Sequence, residues 1–373
     1  MAVRRKRAKS RAARPPKPGV DTTKAPPWWL TKPAEIRAYL ESLEGVAVEE
    51  IGRTAGGRPI IAAAWGEREM LPGRTSTSLS SAIAGGDTAA FYGKGERKRQ
   101  VLLFVGAAHG TEIEGTVAAL NFLNVLVTGK DLRGRRQSGI AEVGRRHRFL
   151  LIPILNVDGR ERALADVQWI GARPDYMSML NIGLDRHGGI IRWPAAKLYF
   201  PMPKEHVKFM GTYYNDAGVN LVYDTVFGPD CQPETAALIR YCCRELPDCV
   251  ILSHSNNGSL VETGSSYIPR HYRQRVDQIA AVVGMRCGRD GLAKFRIPQE
   301  PDSYAGQQFY QSDAIHHACG ALPLVVEFPC GWKGVPPTHD DILDIGLTVL
   351  EEIAAFGARY RFRPKDPSSK WTE

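Results

Sequence analysis

Long apolar runs are missing from this sequence of 373 residues, although 43% of them are hydrophobic. The longest runs, at residues 101–108 and 321–326, are far shorter than the roughly 20 residues that a membrane-spanning helix needs. Internal repeats are also missing, and no Gly/Ser-rich linker separates two possible cores. These features exclude membrane-embedded, fibrous and wholly disordered proteins and favour one large globular domain.

Paired cysteine motifs and an export signal are missing as well. The seven cysteines form no Cys-x-x-Cys pair, which favours reduced thiols over a disulfide framework. The N-terminus is basic, but residues 14–19 read Arg-Pro-Pro-Lys-Pro-Gly where an exported protein would have an apolar stretch. We therefore predict a cytoplasmic protein without a membrane partner.

The excess of positive charge is confined to one end of the chain. The net charge is +9, but residues 1–24 hold nine of the 49 basic residues and only one of the 40 acidic residues. The rest of the chain is therefore close to neutral, and any attraction to nucleic acid is confined to this arm. We predict a basic, disordered arm at residues 1–32, a catalytic domain at 33–358 and a tail at 359–373.

Within that domain, predicted strands alternate with predicted helices. This order predicts an α/β fold with a mostly parallel central sheet and helices on both faces. A short helix and an antiparallel hairpin precede the alternating part, and a long irregular segment of about 75 residues interrupts it. The predicted strands are residues 46–52, 60–65, 101–106, 149–154, 249–252 and 322–326, and the predicted helices are 34–43, 113–127, 234–245, 272–285, 312–319 and 341–356.

Polar residues follow four of the predicted strands, at the edge of a parallel sheet where ligands usually bind. His109 and Glu112 follow one strand, Asn156 and Asp158 a second, His254 a third and Glu327 a fourth. Two histidines and one carboxylate can hold Zn²⁺ and leave a fourth position for water, which suits amide hydrolysis. Glu327 is then the candidate for moving the proton of that water. Each residue alone also fits a structural role, and their joint placement favours a metal hydrolase.

Six short motifs in order resemble the zinc carboxypeptidases of the carboxypeptidase A type, the M14 peptidases. They are residues 49–60 (EEIGRTAGGRPI), 109–112 (HGTE), 156–159 (NVDG), 218–221 (GVNL), 254–255 (HS) and 326–328 (VEF). The resemblance covers residues 33–358. It implies a mixed central sheet between helices, one Zn²⁺ per chain held by His109, Glu112 and His254, and Glu327 as general base and acid.

The same resemblance suggests roles for two further residues, and the sequence differs from the family pattern at one place. It implies that Arg173, with Arg162 as the alternative, stabilises the oxyanion, and that Tyr304, with Tyr310 as the alternative, covers the substrate. A carboxypeptidase of this type is expected to have Asn-Arg after GVNL, where the arginine binds the terminal carboxylate of the substrate. This sequence has Val222-Tyr223 there.

The leading hypothesis is therefore a zinc-dependent carboxypeptidase-like hydrolase that acts on a peptide or an amidated small molecule. The missing arginine favours, as an alternative, a deacylase or amidase of modified amino acids or peptide side chains. A second alternative is an inactive relative whose basic arm binds nucleic acid. A non-haem iron oxygenase has a similar ligand set, but that activity leaves Glu327 unexplained.

Overall fold

The structure is a computed structural model that describes residues 24–69, 97–162, 170–172, 174–192, 201–224, 231–256, 261–262, 267–292 and 309–364. The predicted basic arm up to residue 23 and the predicted tail from residue 365 onward lie outside the described residues. All seven cysteines are described, and all are free thiols.

The described elements alternate along the chain much as the sequence predicts. The helices are α1 (Pro33–Glu41), α2 (Glu114–Thr128), α3 (Ser138–Gly144), α4 (Val157–Arg162), α5 (Pro174–Asn181), α6 (Pro233–Glu245), α7 (Arg270–Asp290), α8 (Gln311–Cys319) and α9 (His339–Arg359). The strands are β1 (Val46–Arg53), β2 (Pro59–Trp65), β3 (Val101–Val105), β4 (Arg148–Ile152), β5 (Gly183–Asp185), β6 (Val207–Met210), β7 (Cys249–Ser255), β8 (Val261–Glu262) and β9 (Leu322–Phe328).

Seven of these strands form one mixed sheet in the order β1-β2-β4-β3-β7-β9-β8. The four central strands β4, β3, β7 and β9 are parallel, while β1, β2 and β8 join antiparallel at the edges. Every residue of β3, β4 and β7 is buried, as expected for strands covered on both faces. The predicted α/β fold with a mixed, mostly parallel sheet is confirmed.

The helices pack against the sheet in two groups. In the first, α9 contacts α2, α3 and α7; in the second, α6 contacts α8 and the edge strand β1. A glycine lets α9 approach α2 closely, because a Cβ added at Gly346 would lie 2.6 Å from the Cβ of Ala118. Six short elements, α3, α4, α5, β5, β6 and β8, were not predicted from the sequence.

Packing continues beyond both ends of the predicted domain. Trp29, before α1, is buried, and its ring lies edge-on to His339 with 4.8 Å between the centroids. Phe362, after α9, is fully buried beside Phe356. Among the described helices, none has the length and apolar character to cross a membrane.

Three buried histidines lie in this scaffold outside the predicted site. Burial lowers the pKa of His147, His316 and His339 to about 4, compared with about 6.5 for an exposed histidine. Backbone carbonyls accept hydrogen bonds at Nδ1 of His147 and of His316, at 3.1 and 2.9 Å. These imidazoles are therefore neutral in the folded protein at pH 6.

We expect the free energy of unfolding to fall as the pH decreases from about 6.5 to about 4. In this range the histidines of the unfolded chain bind protons that the buried imidazoles do not. By about pH 4, each histidine is expected to have lowered the free energy of unfolding by up to about 3 kcal/mol. Urea unfolding of the metal-free protein at about pH 7, 6 and 5 measures the slope. His147→Gln should flatten it, and the control His187→Gln, at an exposed turn, should not. Equal slopes in all three proteins would contradict the assignment.

Candidate metal centre

Parallel pairing brings the predicted site residues to one edge of the sheet. β3, which leads to His109 and Glu112, pairs with β7, and β7 pairs with β9. His254 on β7 is in register with Glu327 on β9, and paired residues of neighbouring strands point to the same face of a sheet. The strand β7 continues to Ser255, so His254 lies within the strand and not after its end.

His109, Glu112 and His254 meet around the carboxylate of Glu112. Nδ1 of His109 lies 3.0 Å from Oε1, and Nδ1 of His254 lies 2.8 Å from Oε2. One ligand atom from each of the three residues lies within 4.8 Å of the others, and all three side chains are buried. Within the described parts of the chain, no other histidine, cysteine or acidic cluster has this geometry. Two imidazoles and one carboxylate are a ligand set of catalytic zinc sites.

The hydrogen bond on the other side of the His109 ring orients it for a metal. Nε2 of His109 lies 3.2 Å from Oδ1 of Asn220. That same oxygen accepts a hydrogen bond from the backbone N–H of Val222 at 3.1 Å, which identifies it as the oxygen of the amide. Nε2 must therefore carry the proton, and Nδ1 of a neutral His109 has only a lone pair. A lone pair facing a carboxylate oxygen requires a cation between them, either a proton or a metal, so the residues present fit a metal ion.

The turn that carries His109 and Glu112 depends on close backbone contact. The backbone N–H of Gly110 donates to the carbonyl of Thr212 at 2.8 Å, and the carbonyl of Gly110 accepts from Arg160 Nη1 at 3.2 Å. A Cβ at Gly110 would lie 2.2 Å from the carbonyl carbon of Gly159. Only glycine fits at this position, because the atoms it would meet are backbone atoms that cannot rotate away.

Glu112 and Glu114 are both buried, but their pKa values are shifted in opposite directions. Burial alone would raise the pKa of Glu112, but His109 and His254 outweigh it and hold the pKa well below the usual range. Burial raises the pKa of Glu114 to about 7, although a hydrogen bond from Ser255 Oγ at 2.5 Å opposes the shift. Glu112 is therefore the ionised carboxylate of this pair and the suitable ligand for a cation.

The sequence analysis assigned no role to Tyr213, Asn220 or Asn181, all of which line the centre. Tyr213 stacks on the His109 ring with 3.7 Å between centroids, and its hydroxyl is hydrogen-bonded to Glu112 and Asn181. Asn220 belongs to the motif at residues 218–221, so the sequence contained a signal for it. Tyr213 and Asn181 belong to no recognised motif.

The motif at residues 156–159 supports the scaffold. The carboxylate of Asp158, at the start of α4, accepts hydrogen bonds from Thr54 Oγ1, Gly56 N, Arg58 Nη1 and Asp216 N at 2.5–3.0 Å. It therefore joins the β1–β2 turn to α4 and to the segment that precedes Asn220. Burial alone would raise the pKa of Asp158, but these donors keep it below the usual range.

Four predicted residues remain, two first choices and their two alternatives. Arg173 and Tyr304 lie outside the described residues. The alternative Arg162 donates to the carbonyls of Gly211 and Tyr214, at 2.7 and 2.5 Å, and these bonds commit its guanidinium to the scaffold. The ring of the alternative Tyr310 lies 5.7 Å from the ring of Tyr223, centroid to centroid. Tyr223 is the residue that stands in the sequence where a carboxypeptidase is expected to have its arginine.

Comparison with known proteins identifies what this arrangement is similar to. The family model described as zinc carboxypeptidase matches residues 36–272, a range that includes His109, Glu112 and His254 and ends before Glu327. No curated protein matches the chain significantly.

Two solved structures are similar in fold. A metallo-carboxypeptidase from Burkholderia cenocepacia has a TM-score of 0.50 at 16% identity, with 86% of this chain and 67% of that chain covered. The carboxypeptidase A from Helicoverpa armigera has a TM-score of 0.52 at 16% identity, with 88% of this chain and 73% of that chain covered. At such identities the likeness concerns the fold alone.

Proposed function

This chain belongs to the zinc carboxypeptidase family, and on that premise we propose that it hydrolyses an amide bond with one zinc ion per chain. One observation supports the proposal above all others. His109, Glu112 and His254 offer three ligand atoms within 4.8 Å of one another, and Glu327 is in register with His254 on the neighbouring strand.

The three ligands have the chemistry that a catalytic zinc site requires. Two neutral imidazoles and one carboxylate fill three positions and leave a fourth for water or substrate. Zinc held there lowers the pKa of water to about 7 and polarises the carbonyl of an amide. Asn220 keeps the proton of His109 on Nε2, which leaves Nδ1 as the donor atom toward the ion.

Glu327 is the proposed general base and acid. Its side chain is half-buried, and it is close enough to Tyr213, the residue stacked on His109, to act on that phenol electrostatically. In the proposed reaction Glu327 accepts a proton from the attacking water as the C–O bond forms. It then returns the proton to the nitrogen as the C–N bond breaks, which yields a carboxylic acid and an amine; passage of the second proton to the amine leaves a carboxylate and an ammonium ion.

Two further roles in the proposal rest on the sequence alone. Arg173 is proposed to stabilise the negative charge on the carbonyl oxygen as water attacks, since preorganised donors at that oxygen are among the largest contributions to catalysis. Tyr304 is proposed to cover the bound substrate.

A deacylase or amidase is the second candidate, and the surroundings of Tyr223 favour it. Val222 and Tyr223 form a turn closed by the hydrogen bond from Tyr223 N to Asn220 O at 3.1 Å, so Tyr223 lies one turn from the partner of His109. One neighbour of its ring is another tyrosine, Tyr310. Tyrosine hydroxyls bind a carboxylate less strongly than the paired N–H groups of arginine do.

A matched substrate pair tests the proposal and its two candidates. The full chain is loaded with zinc and assayed on a peptide with a free C-terminus, on the same peptide as its C-terminal amide, and on an N-acyl amino acid. We expect hydrolysis that is lost with a chelator and restored by zinc. We expect less than about tenfold preference for the free C-terminus, because the bidentate arginine contact that would give roughly 100-fold is replaced.

The outcomes separate the alternatives. A preference above about 100-fold for the free carboxylate would identify a carboxypeptidase and reject the deacylase, while cleavage of the N-acyl amino acid alone would do the reverse. A chain that binds zinc and cleaves none of the three substrates would contradict the proposed function.

A further inference from the structure

Tyr213 contacts the candidate ligand His109 through its ring. The two rings are nearly parallel, at 15°, with 3.7 Å between their centroids. On the edge of the His109 ring, Nε2 is held by Asn220 at 3.2 Å. Contacts on one face and on one edge leave the imidazole little freedom to rotate, so Nδ1 remains directed toward Glu112.

The Tyr213 hydroxyl contacts the second ligand, Glu112, at the end of a buried chain of hydrogen bonds. The side chains of Glu112 and Asn181 are hydrogen-bonding partners of the hydroxyl. Because an ionised carboxylate can only accept, we infer that the hydroxyl donates to Glu112 and that the amide of Asn181 is the donor to the hydroxyl. The amide oxygen of Asn181 accepts from Thr111 Oγ1 at 2.5 Å. Thr111 Oγ1 also lies 2.9 Å from Thr212 Oγ1. Because the hydroxyl proton of Thr111 goes to Asn181, Thr212 is the donor in this second bond.

All four donors therefore point the same way, from Thr212 through Thr111, Asn181 and Tyr213 to the carboxylate. Thr111, Asn181 and Thr212 are each no more than 6% exposed. Hydrogen bonds aligned in one direction polarise one another, and a low local dielectric strengthens them. A tyrosine hydroxyl ordinarily has a pKa near 10, so the phenol is a proton donor at neutral pH.

We propose that Tyr213 is a positioning residue that holds both His109 and Glu112 in the geometry that binds the metal. The inference depends on the proposed function only for the identity of the ion. Tyr213 contacts two of the three ligands with two different parts of its side chain, which separates the stacking from the hydrogen bond experimentally. Partners that orient metal ligands typically change metal affinity 10–100-fold when they are removed.

Two substitutions at Tyr213 test this. Tyr213→Phe keeps the ring and removes the hydroxyl, so we expect the zinc Kd, measured by chelator competition, to rise about tenfold. Tyr213→Leu removes both contacts and should raise it about 100-fold. In Co²⁺-loaded protein, both variants should change the visible absorption bands, which report ligand geometry. Asn181→Ala, which leaves all three ligands untouched, should raise the Kd by a smaller factor.

Tyr214→Phe is the matched control, because it removes the hydroxyl of the adjacent tyrosine, which is also buried, and leaves the ring of Tyr213 on His109. Its zinc Kd and Co²⁺ spectrum should match the wild type, and unchanged thermal unfolding of the metal-free variants would show that folding is intact. A Kd within about twofold of wild type for both Tyr213→Phe and Tyr213→Leu would overturn the inference. If the wild-type protein binds no zinc, both the metal centre and the role of Tyr213 are wrong. If it binds zinc but cleaves no substrate, only the proposed function is contradicted.

Discussion

Replacing Glu327 with glutamine is expected to lower kcat about 10³-fold while the zinc Kd stays within about twofold of wild type. Glutamine has nearly the same shape as glutamate but cannot accept a proton from water at neutral pH. Glu327 lies beside His254 on the neighbouring strand and outside the group of three that could hold the metal. The substitution therefore removes proton transfer and leaves the ligands in place.

Three measurements on the same protein separate these effects. Steady-state kinetics give kcat and KM, elemental analysis gives the zinc content, and chelator competition gives the zinc Kd. We expect the loss to be in kcat with KM little changed, because Glu327 acts in the transition state and not in substrate binding. Glu142→Gln, at an exposed position of α3, is the control and should retain full activity. Activity near wild type in Glu327→Gln would show that another group moves the proton.

The metal ligands could be predicted because they lie at the ends of strands that the sequence marks clearly. The strands β3 and β7 begin as continuous apolar runs, and polar residues appear where each run ends. In a parallel sheet such ends meet at one edge. His109, Glu112 and His254 were thus expected together, and the structure brings them together.

The support around these ligands could not be predicted from the same signals. Tyr213 and Asn181 lie in the long irregular segment, where no period of 2 or 3.6 residues identifies a buried face. Asn181 contacts Thr111, and Tyr213 stacks on His109, so both contacts join residues about 70 to 100 positions apart in the chain and depend on tertiary packing. The helix α3 was missed because seven residues are too few to show a clear helical period.

Asp158 illustrates how a motif can be recognised while its physical role remains hidden. The sequence shows an acidic residue after a buried strand, which also fits a ligand or a catalytic acid. In the structure its carboxylate accepts four hydrogen bonds, one of them from the guanidinium of Arg58 at 2.7 Å, and Asp158 is not part of the group of three that could hold a metal. The partners Thr54, Gly56 and Asp216 lie far from Asp158 in the sequence, so only the folded chain identifies the role.

Replacing Asp158 with asparagine is expected to lower the free energy of unfolding by about 3 kcal/mol, because two of its four donors lose their acceptor. The amide keeps one acceptor oxygen and turns an N–H₂ group toward those two donors. Arg58 loses its buried partner and keeps Asp216 at 2.6 Å. Urea unfolding of the metal-free protein at pH 7 measures the change. Because the folded carboxyl has a lowered pKa, its contribution is present above about pH 4 and is lost as the pH falls further.

The matched control is Asp175→Asn, which removes the carboxylate of an exposed ion pair. Asp175 and Arg192 are 2.7 Å apart, but their side chains are 66% and 61% exposed, and such pairs contribute about 0–1 kcal/mol. The difference between the two variants therefore isolates what burial and four donors add to a single carboxylate. If Asp158→Asn cost no more than Asp175→Asn, the β1–β2 turn would be held to α4 by apolar packing. Asp158 would then be free for a role in the reaction, and the assignment of the motif to the scaffold would be wrong.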